Sequence, residues 1–383
     1  MERRYSLFLT KSIRGYIYGI FSVIIFLYLT SAGLSAIEAG IVVTAGIIIN
    51  SVLTYLITTH YGTGHSKIIL IVFSALLAIG TIGIFAFPGD LLKAVFAIIG
   101  ALGVNPSDNT IFASYEQPII SGIISKQHRR NVLFSIYTLV GYGASSIGAI
   151  SLNLIPLRYT LETASIFSVA IIPIYLILPK IEGKKLLTSE AIKPESKKTA
   201  RDVSILFSMD AIGGGFVLQG LVAYWFNVRY GINLKELGAI FFVVDIIMAI
   251  SIMVTPFIAK KIGLVRTMVY SHIPSNVFLM LIPVFPNVFL SLLFLFLRQS
   301  LSQMDVPTRQ SYLNSIVDAD DRSYVVGVSN ASRSIAQSTT PFISSYLISL
   351  AASSIPFEAG GGIKIIYDVL LFQRFKRENE KYD

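Results

Sequence analysis

The sequence predicts an all-α membrane protein, with twelve transmembrane helices arranged as two pseudo-symmetric six-helix bundles. Three observations lead there. The 383 residues are 54% hydrophobic and only 14% charged, whereas soluble domains carry about 25% charged residues. Apolar stretches of about 20 residues, the length that crosses a bilayer as a helix, recur along the whole chain. Finally, one long hydrophilic gap, 180–202, divides it into near-equal halves.

That gap, KIEGKKLLTSEAIKPESKKTARD, holds seven Lys or Arg. It has too little apolar surface to fold alone, so it reads as an exposed basic linker. The expected organisation is an N-terminal bundle over 1–179, a cytoplasmic linker over 180–202 and a C-terminal bundle over 203–383.

Length and hydropathy place the spans in order. In the first half they fall at 15–34, 39–59, 68–87, 91–124, 132–155 and 160–178. The first follows basic residues as a signal peptide would, but its 20 apolar residues exceed a signal core, so it is expected to remain as a span. The fourth is interrupted by NPSDN at 105–109. The second half gives 203–226, 237–258, 265–285, 288–307, 324–350 and 355–375, the last carrying Glu358, Lys364 and Asp368.

Charge fixes the expected orientation. With both termini in the cytoplasm, the inner segments hold 23 of the Lys and Arg residues and the outer loops only Lys93, Arg158, Arg229 and Lys235. That asymmetry favours a multi-pass protein of the cell membrane with both ends inside. The net charge of +9 therefore reports topology and contact with anionic lipid, and no nucleic-acid partner is expected.

The halves also resemble one another. An offset of 196 carries Arg14, Gly19 and Tyr28 onto Asp210, Gly215 and Tyr224, and the inner loops YGTGHSK (61–67) and IGLVRTM (262–268) share a Gly at Gly62 and Gly263. Duplicated bundles of this kind build a site between two halves that rock.

With these features the chain resembles the major facilitator superfamily over essentially its whole length. AKKIGLVRTM (259–268) is similar to that family's inner-loop signature, with Lys260 where an Asp is usual. The stretches 302–322 and 355–375 resemble the tenth-span exit and the final span of an uncharacterised branch of that family. The Gly-Pro pair of the antiporter signature is missing from GYGASSIG at 141–148. The resemblance implies a secondary active transporter working by alternating access on a small solute, and Asp210 or another buried acid adds the expectation of proton coupling. A uniporter, a multidrug-type exporter, or a carrier-fold receptor that binds without transporting remain as alternatives.

A charge near the bilayer centre costs about 2.5–3.5 kcal/mol on insertion scales, so each is a candidate for binding or coupling. Asp210 lies inside the seventh span before Gly213, Gly214 and Gly215. Its repeat mate Arg14 has the opposite charge, and the two are expected to meet as a gate, together with the loop residues Gly263 and Arg266. Arg298 lies about 15 Å into the tenth span. Arg333 shares a stripe with Asn330, Gln337 and Thr340, and Asp245 or Asp108 could neutralise the arginines. Arginine forks suit an anionic substrate.

Structural roles are expected elsewhere. Glu116 reads as a solvated residue near the inner surface, and Lys364 and Asp368, four apart, as mutually neutralising. Gly141, Ser145 and Gly148 form a small-residue packing face. The four His have no metal-ligand spacing, so no metal is expected, and the absence of Cys excludes disulfides and thiol chemistry. No nucleotide loop or H-E-x-x-H is present, so no catalytic residues, cofactor or enzyme activity are expected. The protein is expected to be a monomer in a lipid bilayer, with a small-molecule substrate and protons as partners.

Overall fold

The computed structural model describes residues 3–60, 65–102, 111–123, 127–178, 192–317, 321–350 and 353–379. Sixteen helices run through the described residues, and they are the only regular elements there. Six stretches, one of them 194–230 and containing two of these helices, are long and apolar enough to cross a membrane by length and composition.

The first-half spans appear as α1 (Arg3–Ser31), α2 (Ala36–His60), α3 (Ser66–Ala86), α4 (Asp90–Ile99), α5 (Ile111–Ile123), α6 (Gln127–Leu154) and α7 (Leu157–Ile177). The fourth span is thus represented by two helices, α4 and α5, and the polar NPSDN between them lies outside the described residues. In the second half follow α8 (Pro194–Phe216), α9 (Gln219–Tyr230), α10 (Leu234–Ile262), α11 (Leu264–Leu281), α12 (Val288–Ser302), α13 (Asp305–Ile316), α14 (Arg322–Ser338), α15 (Pro341–Ser349) and α16 (Ile355–Asn379).

Three spans that read as continuous are broken. The seventh splits at Val217, whose φ of −129° and ψ of 43° are not helical. In the tenth the break falls at Gln303 and Met304, before Asp305 opens α13. The eleventh breaks just before Pro341, where the ring cannot donate into the preceding helix. The stretch expected as linker also becomes helical early, since α8 starts with a proline at its first turn, Pro194, where the missing N–H costs nothing.

Local chemistry sets the helix starts. Ser35 and Glu38 form a reciprocal capping box on α2, with the Ser35 N–H donating to Glu38 at 2.7 Å and the Glu38 N–H to Ser35 Oγ at 3.3 Å. Asn233 and Glu236 do the same for α10, at 2.9 and 3.1 Å. Asn287 caps α12 by accepting from the Phe289 N–H. Gly263 opens α11 at a φ of +88°, a left-handed value that favours Gly.

The helices fall into two compact units. The first contains α1 to α7 with α9, α10 up to Ile246, and α15; the second contains α8, the rest of α10, α11 to α14, and α16.

In the first unit α1 packs along α6 and α9, α3 along α7, and α2 along α15. The α1–α6 crossing depends on small residues: a Cβ at Gly19 would lie 2.1 Å from the Ser145 carbonyl, and one at Gly148 would lie 2.1 Å from that of Tyr16. This is the small-residue face expected from the sequence, acting as helix packing. In the second unit α8 packs on α14 and α16, and α11 on α16, α12 and α13. Its core gathers Val203, Phe207, Met268, Tyr312, Val325, Tyr367 and Leu371.

Candidate functional site

Each unit encloses a network of charged side chains. In the first, Arg14 of α1 and Glu116 of α5 are both fully buried. Two parallel contacts join them, Nη2 to Oε2 at 2.5 Å and Nη1 to Oε1 at 3.1 Å. The remaining lone pairs of the carboxylate accept from Thr10 at 2.9 Å, from Tyr175 of α7 and from Tyr137 of α6. The guanidinium also stacks 4.3 Å over the ring of Phe112. A buried pair survives only when such extra bonds replace the lost hydration, and here three helices, α1, α6 and α7, supply them.

The second network centres on Asp210 of α8, which is 3% exposed. Its Oδ1 lies 2.7 Å from Lys364 Nζ on α16 and 3.7 Å from His272 Nε2 on α11. Its Oδ2 lies 2.9 Å from Arg333 on α14 and 3.5 Å from Arg309 on α13. Arg309 is shared with Asp305 at 2.6 Å. The other ring nitrogen of His272, Nδ1, sits 2.8 Å from Asp368, which also accepts from Asn276 at 3.1 Å. Five helices therefore meet at one carboxylate, and three cations compete for it.

Several expectations change at this point. The Arg14–Asp210 gate pair is replaced by two separate networks, Arg14 with Glu116 and Asp210 with its own cations. Glu116 is not solvated; it is the buried partner of Arg14. Lys364 and Asp368 do not neutralise each other, because Lys364 turns to Asp210 and Asp368 to His272.

Asp245 does not neutralise Arg333 either. It is fully buried in the first unit and accepts from Ser145 and Gln219, whereas Arg333 pairs with Asp210. Asp108 lies outside the described residues.

The other candidates divide. Arg298 of α12 is half-buried, and its Nε has no hydrogen-bond partner among the described residues. On the α14 stripe, Asn330 is exposed and Gln337 half-buried, while Thr340 beyond it donates to the Ile212 carbonyl. Gly263 caps α11, and exposed Arg266 lines a surface cavity of about 390 Å³ with Lys261, Ile262, Tyr270 and Phe372.

Sequence reasoning missed Arg309, Asp305 and His272 as members of the Asp210 network, and Tyr137 and Tyr175 around Glu116. One local signal was available, the Asp305–Arg309 spacing of four. Among the described residues no group of three or more His, Cys, Asp or Glu is placed to hold a metal.

The architecture matches solved transporters over nearly its full length. The human organic anion transporter MFSD10 aligns at a TM-score of 0.70 with 13% identity, covering 96% of this chain and 98% of that one. The nucleoside transporter NupG aligns at 0.72 with 11% identity, covering 98% and 100%. A D-xylose-proton symporter gives 0.68 with 14% identity, covering 96% and 97%. In sequence, an uncharacterised membrane protein of Saccharomyces cerevisiae is 24% identical over 403 residues, spanning 92% of this chain and 90% of that protein. No protein-family model matches.

The chain is thus an all-helical, multi-pass membrane protein with the major facilitator transporter fold. The three solved structures that share this fold are transporters.

Proposed function

We propose that the protein is a secondary active transporter of a small solute, working by alternating access and coupled to protons. The supporting observation is Asp210, a buried carboxylate shared by Lys364, Arg333, Arg309 and, at longer range, His272. In a medium of low dielectric, neutralising that one carboxylate frees several cations at once. A proton or a solute that engages the network in one conformation and not the other shifts the balance between them. One proton moved across 100 mV supplies about 2.3 kcal/mol, enough to concentrate a solute about fortyfold.

In this reading the sequence halves 1–179 and 203–383 are the repeats, and Arg14, Asp210, Gly263 and Arg266 belong to the gating apparatus. Asp245, Arg298, Arg333, Asn330, Gln337 and Asp108 serve binding or coupling. The protein works as a monomer in the cell membrane with both termini cytoplasmic.

The solute classes named for the structural neighbours, organic anions, nucleosides and a pentose, form the first screening panel. Proteoliposomes loaded with a pH-sensitive dye test coupling directly. An accepted solute drives proton entry in the wild type, and Asp210→Asn abolishes it. Proton entry unchanged by Asp210→Asn removes Asp210 from the mechanism, and solute binding with no flux in the wild type makes the protein a receptor.

A further inference from the structure

The charged groups gathered around Asp210 include one more cation than carboxylates; Asp321, also buried in this unit, is engaged separately by Ser196. Arg298 lies on α12 in register with Ser291, Leu295 and Ser302, the buried stripe of that helix. Phe289, Leu293 and Leu297 form the exposed apolar side, so Arg298 points away from it. Its carbonyl accepts from Ser275 of α11 at 3.1 Å, tying this part of α12 to α11.

The guanidinium Nε is sealed from solvent and has no hydrogen-bond partner among the described residues. Asp210 is close enough to act on it electrostatically, but both Asp210 oxygens are already held by Lys364, Arg333 and Arg309. Asp305 serves Arg309, and Asp368 serves His272 and Asn276. Leaving His272 aside, the cations Arg298, Arg309, Arg333 and Lys364 outnumber Asp210, Asp305 and Asp368 by one.

A guanidinium with a buried donor left unmet is costly unless an anion completes it. Its planar fork of donors fits a carboxylate with two parallel bonds. A phosphate brings nearly two charges at neutral pH where one is missing.

We propose that Arg298 anchors the carboxylate of a small organic anion. That this anion is also the transported solute rests on the carrier reading above; the binding site itself does not.

A matched three-carbon set tests it: glycerate, glycerol and glycerol 3-phosphate, added to the purified full-length protein while thermal unfolding is followed. Glycerate is expected to raise the midpoint and glycerol to leave it unchanged. Arg298→Gln should weaken glycerate binding about tenfold or more, the worth of a charge-assisted bond. Arg298→Lys, which keeps the charge without the fork, should fall in between. Phenylglyoxal, which modifies free guanidiniums, should label wild-type Arg298, and glycerate should slow that labelling.

Equal effects of glycerate and glycerol overturn the proposal, as does unchanged glycerate binding in Arg298→Gln. Tighter binding of glycerol 3-phosphate overturns the carboxylate assignment. Counterflow of labelled glycerate in proteoliposomes separates the two levels. Arg298-dependent binding without counterflow leaves the anion site standing and removes the carrier, whereas counterflow that survives Arg298→Gln leaves the carrier and removes the site.

Discussion

Glu116 shows how far a buried charge depends on its surroundings. It accepts from Arg14, Thr10, Tyr137 and Tyr175, and neither member of the ion pair touches solvent. Glu116→Gln keeps the shape but leaves Arg14 charged without a counter-ion, so it should destabilise the protein by about 3–5 kcal/mol. Replacing both, as Arg14→Met with Glu116→Leu, should recover most of that loss. Denaturant titration in micelles reads both, and a neutral Glu116→Gln would show that the pair does not hold the first unit together.

At this scale the sequence named the right kind of residue but not its partner. Loop counting accounts for all but four of the 31 Lys and Arg. Those four are Arg298, Arg309, Arg333 and Lys364, the cations gathered inside the second unit. The pairing of the last three with Asp210 was not legible because each ion pair bridges helices about a hundred or more positions apart. Lys364 and Asp368 show the reason: spacing of four promises a local pair, but a buried carboxylate across the helix interface is the stronger attraction.

Among the elements, hydropathy located the spans and, apart from the polar NPSDN in the fourth, missed their interruptions. Pro341 marks one break; the break at Val217 has no Pro, and its Gly-rich approach reads equally well as flexible helix. The break matters because α9 packs with α1 in the first unit while α8 belongs to the second. Close approach ties such second-half segments to first-half helices: a Cβ at Gly238 of α10 would lie 2.6 Å from the Ala149 carbonyl of α6.

Gly238→Leu should therefore push α10 from α6, at a cost of about 1–3 kcal/mol for overpacking. Because the chain has no cysteine, Asn153→Cys provides a single reporter thiol on α6, where the native side chain donates to the Lys235 carbonyl. A membrane-impermeant maleimide should label that thiol faster in the Gly238→Leu background. Unchanged labelling would show that this contact does not close the α6–α10 seam. A second element-scale test is the cap on α12: Asn287→Ala should cost about 1 kcal/mol, read as a lowered unfolding midpoint.

For the whole molecule, the duplication seen in sequence has a chemical counterpart. The capping boxes Ser35–Glu38 and Asn233–Glu236 stand 198 positions apart, both opening the second expected span of a half. Arg14 and Asp210, 196 apart, each pair with a charge in their own half, Glu116 on α5 and Arg309 on α13, with the signs reversed. Composition and repeat were enough to anticipate the fold. The division into units was not legible, because it cuts across the sequence halves, with α9, α15 and part of α10 joining the first unit.

A carrier and a receptor built on this fold differ in one observable, accumulation against a gradient. The decisive measurement is uptake of labelled glycerate, or of whichever panel solute binds, into proteoliposomes with an imposed pH gradient. A proton-coupled carrier concentrates the label above its equilibrium level, loses this when the gradient is collapsed by a protonophore, and loses it in Asp210→Asn. Binding without accumulation, or accumulation that persists in Asp210→Asn, contradicts a transporter coupled through the Asp210 network.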